Sequence, residues 1–447
     1  MIAARPALLA ADRCFSTSGP ERSEATGYHR VVATPTSVDL DLAGLRGQFP
    51  ALSLRVNGDP VVYLDNPAGT QVPQRVIDRT AEYWREMNGN HGGLFATSVA
   101  SDARIEEARR AAATFLNARS TEEVVFGANM TTLTFAFSRA MGREFRPGDE
   151  IVVTRLEHDG NVSPWLALEE QGVKVRVADI VLPECSLDME DLARQITPKT
   201  RLVAVTHASN AVGTIPDLKA VARLAHSVGA WLWVDAVHYG PHGLIDVQAI
   251  NCDFLVCSSY KFYGPHLGLL YGRRELLERL RPYKVRPATE ELPSRWETGT
   301  PNLECLSGLL GTFEYLAEVG GASRVDRSAM EAAMLRIQAH ERALVARLIQ
   351  GLQAIDGIEI YGVTDLERLE QRAPTVSLTW KPYRPEALAR WLADRQIFTW
   401  HGDHYATELM RRLGLEHSGG TLRIGIAHYN TASEVDLLLE VLAGYRG

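Results

Sequence analysis

The chain has 447 residues, 45% of them hydrophobic, and a formal net charge of -8, which is the composition of a globular protein with room for two or three cores. Lysine and arginine are scattered rather than clustered, so no basic field is offered to nucleic acid or anionic lipid. The five cysteines (Cys14, Cys185, Cys252, Cys257 and Cys305) form no CxxC or paired His/Cys spacing, which suits a reducing cytoplasm and supplies no metal set, and no apolar run reaches the ~18 to 20 residues of a membrane span.

Residues 1–37 are rich in Ala, Ser, Thr and Arg without sustained periodicity and read as a mobile leader. Asp12, Glu21 and Glu24 weigh against a transit peptide there. Residues 38–70 lead into a small domain and partly join it, while 71–310 make the large domain. Within it, β-branched runs at 123–126, 151–154, 174–178, 201–206, 231–234, 254–257 and 267–271 alternate with amphipathic stretches. That rhythm predicts an α/β fold with a mainly parallel, doubly wound, seven-stranded sheet. Ile105, Ala108, Ala112, Phe115 and Leu116 share one helical face, and Leu218, Val221, Leu224, Ala225 and Val228 share another, so both helices are expected to cover the sheet. Beyond 311 the pattern changes to a long helix over 329–352, short strands, and a last helix over 433–445, which marks a smaller α+β C-terminal domain over 311–447.

Residues able to do chemistry follow these strands, at the ends where an open α/β sheet presents its ligand crevice. His158 follows 151–154, Asn210 follows 201–206, Asp235 closes 231–234, and Lys261 comes just after 254–257. Aromatic neighbours on both sides of Lys261 desolvate its amine, which favours the neutral, nucleophilic form and Schiff-base chemistry. Asp235 strengthens that reading, because a buried carboxylate must be paired and a protonated pyridine nitrogen is such a partner. The turn 127–132, between strand and helix, offers backbone N–H groups to a phosphate. Plainer readings stand beside these: Lys261 as a surface lysine, Asp235 and His158 as helix caps, Arg423 as a structural ion pair, Thr300 as a turn residue. No Walker loop, no GxGxxG after a strand and no HExxH is present.

From about residue 62 onward the chain resembles the class V aminotransferase family, in its cysteine-desulfurase-like branch. The markers occur in order: Tyr63-Leu64-Asp65-Asn66-Pro67-Ala68-Gly69, Glu157-His158-Asp159-Gly160-Asn161, Ser209-Asn210-Ala211-Val212-Gly213-Thr214, Val234-Asp235-Ala236-Val237-His238, Lys261-Phe262-Tyr263-Gly264-Pro265, Glu297-Thr298-Gly299-Thr300-Pro301-Asn302 and Arg423-Ile424-Gly425. The resemblance implies a fold-type-I enzyme of pyridoxal 5'-phosphate. Lys261 would hold the cofactor as a Schiff base, Asp235 would pair with its ring nitrogen, and His158 would stack on the ring. Asn210 and His238 would lie near the ring hydroxyl, with His238 where desulfurases usually have Gln. The amides of Ala128 and Asn129, with Ser258, would hold the phosphate. Thr300 would reach the phosphate of a neighbouring subunit, which implies a homodimer with shared active sites. Arg423 would grip the substrate carboxylate, a role its planar fork fits.

Two departures bear on function. Tyr260 replaces the His that commonly precedes the lysine, and Tyr405, in Gly402-Asp403-His404-Tyr405-Ala406, stands where the persulfide cysteine is expected. No cysteine follows Cys305, and sulfur transfer needs a reactive thiol. The expected activity is therefore carbon–sulfur β-lysis of cysteine or an S-substituted cysteine, with Tyr405 and His404 read either as aromatic packing at the pocket mouth or as the group that protonates the departing thiolate. Aminotransferase, side-chain epimerase, decarboxylating or oxidatively deaminating enzyme of a cysteine conjugate, and true cysteine desulfurase are the alternatives, and a non-catalytic cofactor-binding regulator is the reading from another class.

Overall fold

Apolar runs buried on both faces build the central sheet, because helices cover it on each side. The computed structural model describes residues 40–447, so the leader expected over 1–37 lies outside the described residues. The sheet's strands are β1 (Val124–Gly127), β2 (Glu150–Thr154), β3 (Lys174–Ala178), β4 (Thr200–Thr206), β5 (Trp231–Asp235), β6 (Phe254–Ser258) and β7 (Gly268–Gly272). They lie in the order β1-β7-β6-β5-β4-β2-β3, all parallel except β7, which runs antiparallel to both neighbours. Each falls within one residue of its predicted limits.

The period-2 alternation divides the strands between two cores. Val124, Phe126, Leu232, Val234, Leu255 and Cys257 face one layer with helix α1 (Ala96–Leu116), through Ala108, Phe115 and Leu116. Val125, Ile151, Val153, Trp233, Phe254 and Val256 face the other, where Leu133, Phe137 and Met141 of α2 (Met130–Gly142) meet them. Helix α3 (Leu218–Ser227) joins the first layer through Leu218, Val221 and Ala225, as its predicted face requires.

After helix α4 (Leu303–Val319) comes the long helix α5 (Arg327–Gln353), then a second, wholly antiparallel sheet. Its strands are β8 (Ile358–Tyr361), β9 (Thr375–Trp380), β10 (Trp400–Gly402) and β11 (Thr421–Gly425), in the order β8-β9-β11-β10. Leu344, Leu348 and Leu352 of α5, with Val435 and Leu438 of the last helix, α6 (Ala432–Ala443), bury it in a third core. Val62–Tyr63 pairs in parallel with Ile397–Phe398, and Asp65 bridges Gly425, so the 62–65 segment joins this layer.

Two close backbone approaches place the site. At Gly213, φ +80° lies in the left-handed region, and a Cβ there would sit 2.7 Å from the Thr375 carbonyl oxygen, so only glycine brings the loop after β4 against β9. The buried Arg372 staples the same seam by donating to the carbonyls of Val212 and Thr375. The second approach follows from the reversed direction of β7. Its first residue, Gly268, opposes the last residues of β1 and β6, and a Cβ on it would lie 2.6 Å from the Asn129 carbonyl carbon. Gly268→Ala should therefore cost about 1–3 kcal/mol in urea unfolding, the usual range for overpacking; a variant as stable as the parent would contradict this packing.

Candidate active site

The strand ends deliver their polar residues to one cavity of about 320 Å³, within the range of small-molecule sites. His158 follows β2, Asn210 follows β4, Asp235 ends β5, and Ser258, Tyr260 and Lys261 lie at and beyond the end of β6; all line it. His238, three residues past Asp235, lines it too.

Lys261 ends a short 3-10 turn and its Nζ donates to the Pro67 carbonyl. Burial pulls its ammonium down from the ordinary 10.5 to about 7, and the positive charge of Arg423 pushes the same way, against Asp65 and Asp235. A neutral fraction of the amine is thus available near pH 7 and grows as pH rises. Asp235 is 3% exposed and accepts from the Val237 amide at 2.9 Å. Burial raises its carboxyl to about 6, while that amide and Lys261 act to lower it. One N–H is small compensation for a buried carboxylate, so Asp235 has capacity left for a cationic partner.

His158 caps the 3-10 turn Asp159–Asn161, with Nδ1 accepting from the Gly160 amide at 2.9 Å, so its proton sits on Nε2. Burial lowers it to about 4, helped by Lys261, and keeps the ring neutral. The cap reading and the cavity reading both hold for this residue. Asn210 donates from Nδ2 to the His404 carbonyl at 2.8 Å, leaving Oδ1 buried without a partner. His238 Nε2 meets Thr375 Oγ1 at 3.0 Å, and burial holds the ring well below the usual imidazole range.

The remaining expected residues are placed differently. Arg423, on β11 and 4% exposed, pairs with Asp65 at 3.2 Å and donates to the Asn210 carbonyl at 3.1 Å, behind the cavity wall rather than on it. Its Nε is buried and unpaired. Ala128 lines a separate hollow, shared with Thr300, and the Asn129 amide closes a capping box on Thr132 Oγ1 at 3.3 Å. The amide left free in the first turn of α2 is that of Thr131, which is on the cavity wall, so the donor set of this turn is shifted from the one expected. Ser258 Oγ accepts from the Met130 amide at 2.9 Å, and its own hydrogen is free to donate. Tyr405 is 71% exposed, has φ +56°, and stacks on His158 at 5.5 Å, outside the cavity lining. His404 is buried, with Nε2 2.9 Å from Thr421 Oγ1 and Nδ1 unpaired.

Sequence reasoning missed Asp65 and His266, and within the 127–132 turn it favoured the amides of Ala128 and Asn129 over that of Thr131. Asp65 lay in plain view in the first motif, but its pairing with Arg423 spans 358 residues and has no local signal. His266 stands five residues beyond the lysine, on the connection to β7, and only the reversal of that strand turns it to this edge.

An amine to bond an aldehyde carbon, a buried carboxylate for a ring nitrogen, a flat imidazole for a ring face, an unpaired Asn210 Oδ1, and free donors at Thr131 and Ser258 together fit pyridoxal phosphate. Fold and site define a pyridoxal-phosphate-dependent enzyme of fold type I. The chain belongs to the class-V aminotransferase family, whose model (Aminotransferase class-V) matches residues 62–438. A cysteine desulfurase of Synechococcus elongatus is 34% identical over 428 residues, 92% of this chain and 64% of that protein. The chain therefore spans less than two thirds of the length of that relative. One from Pectobacterium carotovorum is 32% identical over 88% of this chain and 95% of its own length. Among solved structures, the apo cysteine desulfurase of Thermococcus onnurineus superposes with TM-score 0.81 at 29% identity, covering 90% of this chain and 97% of that one. The Escherichia coli cysteine desulfurase CsdA in its S-sulfonic acid form gives 0.77 at 30% identity, again over 90% and 97%.

Only a neutral amine attacks the cofactor's aldehyde, so reaction of the apoprotein with pyridoxal phosphate should accelerate as pH rises through about 7 and then level off. Arg423→Gln removes a like charge and should move that midpoint upward. Visible absorbance checks both, and a parent midpoint near 10.5 would contradict the burial of the amine.

Proposed function

We propose that the chain is a carbon–sulfur β-lyase acting on cysteine or an S-substituted cysteine. The observation that carries this reading is the absence of any described cysteine from the Lys261 cavity. Cys185, Cys252 and Cys257 are buried, Cys305 is half-buried, and burial holds the thiols of all four above their ordinary value, the reverse of what a sulfur acceptor needs. At position 405, where the family resemblance leads one to expect a thiol, the chain carries a phenol.

Bound at this site, the cofactor supplies an electron sink for charge that develops at the substrate's α-carbon. The substrate carboxylate is assigned to Arg423, which sits beside the cavity rather than on its lining, held by Asp65 and by the carbonyl of the lining residue Asn210, with Nε left unpaired for an incoming anion. Lys261, neutral above about pH 7, removes the α-proton. Asp235 keeps the ring nitrogen protonated, and His158 holds the ring flat. Tyr405 is assigned the protonation of the departing thiolate, on the ground that its ring stacks on His158 of the cavity wall. For cysteine the balance is cysteine plus water to pyruvate, ammonia and hydrogen sulfide.

Desulfuration is the second reading, favoured by the relatives, which are cysteine desulfurases. A homodimer belongs to the proposal as well. Thr300 lies exposed beside Ala128 in a hollow apart from its own Lys261 cavity, and Trp84, Leu94, Phe95 and Val99 leave apolar surface uncovered. We place the protein in the cytoplasm, in keeping with the free thiols of its four described cysteines. Among the described residues no helix is long and apolar enough to cross a membrane.

Incubation with cysteine and S-substituted cysteines should yield pyruvate without added 2-oxo acid. Alanine with a protein-bound persulfide would establish desulfuration instead, and dependence on a 2-oxo acid would establish transamination. Tyr405→Phe should slow pyruvate release about 100-fold or more, the usual loss when a general acid is removed, and an unaffected rate would take the proton-donor role away from Tyr405.

A further inference from the structure

The phosphate end of the Lys261 cavity is short of positive charge. Asn129, Met130, Thr131 and Ser258, which form it, are all neutral, and the amides of Asn129 and Met130 are already spent on Thr132 Oγ1 and Ser258 Oγ. A phosphate monoester carries about -1.5 to -2 charge near pH 7, and a helix N-terminus offsets only ~0.5 of it. The other basic residues of the cavity wall are committed. Lys261 serves the cofactor's aldehyde carbon, His158, anchored through Nδ1 by the Gly160 amide, is assigned the ring face, and His238 Nε2 meets Thr375 Oγ1. His266 is the basic side chain left on that wall.

Its place follows from the chain path. Gly268, two residues on, lies against the Asn129 backbone so closely that a Cβ would sit 2.6 Å from its carbonyl carbon. The connection carrying His266 therefore runs beside the turn that opens α2. There its ring stacks on Tyr260, 4.8 Å between centroids and 12° between planes. We propose that His266 is a ligand of the cofactor's phosphate, donating a ring N–H to it, and that Tyr260 is the plate that orients its ring. This goes beyond the proposed activity and does not depend on which amino acid is the substrate.

The test is cofactor affinity rather than turnover. Full-length apoprotein is titrated with pyridoxal phosphate and, separately, with pyridoxal, which has the same ring and aldehyde but no phosphate. His266→Ala should weaken pyridoxal phosphate about tenfold to a hundredfold, the worth of a hydrogen bond to a charged group, and leave pyridoxal affinity unchanged. His266→Lys, which restores a cationic donor, should recover most of the loss. Parent-like affinity of His266→Ala for pyridoxal phosphate, or an equal loss for both ligands that His266→Lys fails to repair, would overturn the assignment. Either result would leave the pyruvate assay, and the reading that rests on it, untouched.

Discussion

The site depends on one constraint: the amine of Lys261 must be buried enough to lose its proton near neutral pH, yet close enough to charge to stay reactive. Desolvation does most of this, and Arg423 adds a like charge behind the wall. Asp235 and Asp65 pull the other way, so the balance depends on where four charged groups from separate parts of the chain come to rest. Moving any of them shifts the pH at which the nucleophile exists.

The backbone approaches closely in two places that set the positions of the site's walls. Gly268 lets β7 lie against the turn at Asn129, which fixes the start of α2 relative to Lys261 across one strand. Gly213 and Arg372 join the loop after β4 to β9, and the same strand carries Thr375, which holds His238. The antiparallel sheet thus supports side chains that belong to the parallel one, and β11 supplies Arg423 across the same seam.

The 403–405 turn is built for rigidity. His404 and Tyr405 both have left-handed φ, near +55°, and the turn is bolted to the large sheet's loops through the Asp159 amide on the Tyr405 carbonyl and the Asn210 amide group on the His404 carbonyl. Consecutive non-glycine residues in that region are strained, and they persist here because their carbonyls are held from outside the turn. The turn thus carries the Tyr405 ring, itself largely exposed, to a stack against His158 of the cavity wall.

The strands, their two-faced burial and the chain of strand-end residues were legible in the sequence, because period-2 alternation and the Lys261, Asp235, His158 and Asn210 positions are local patterns that any parallel sheet must align at one edge. The family followed from motifs of the same local kind. What local pattern could not carry was register between distant segments. Arg423 meeting Asp65, Thr375 holding His238, Ala128 and Thr300 sharing a hollow apart from the cavity, and His266 on the cavity wall all depend on which strand lies beside which. The direction of β7 alone decides the last of these. The sequence by itself therefore determined the cofactor chemistry and the residues at the strand ends, and the tertiary structure decided which donors face the cavity, because hydrogen-bond geometry is fixed by packing between segments hundreds of residues apart.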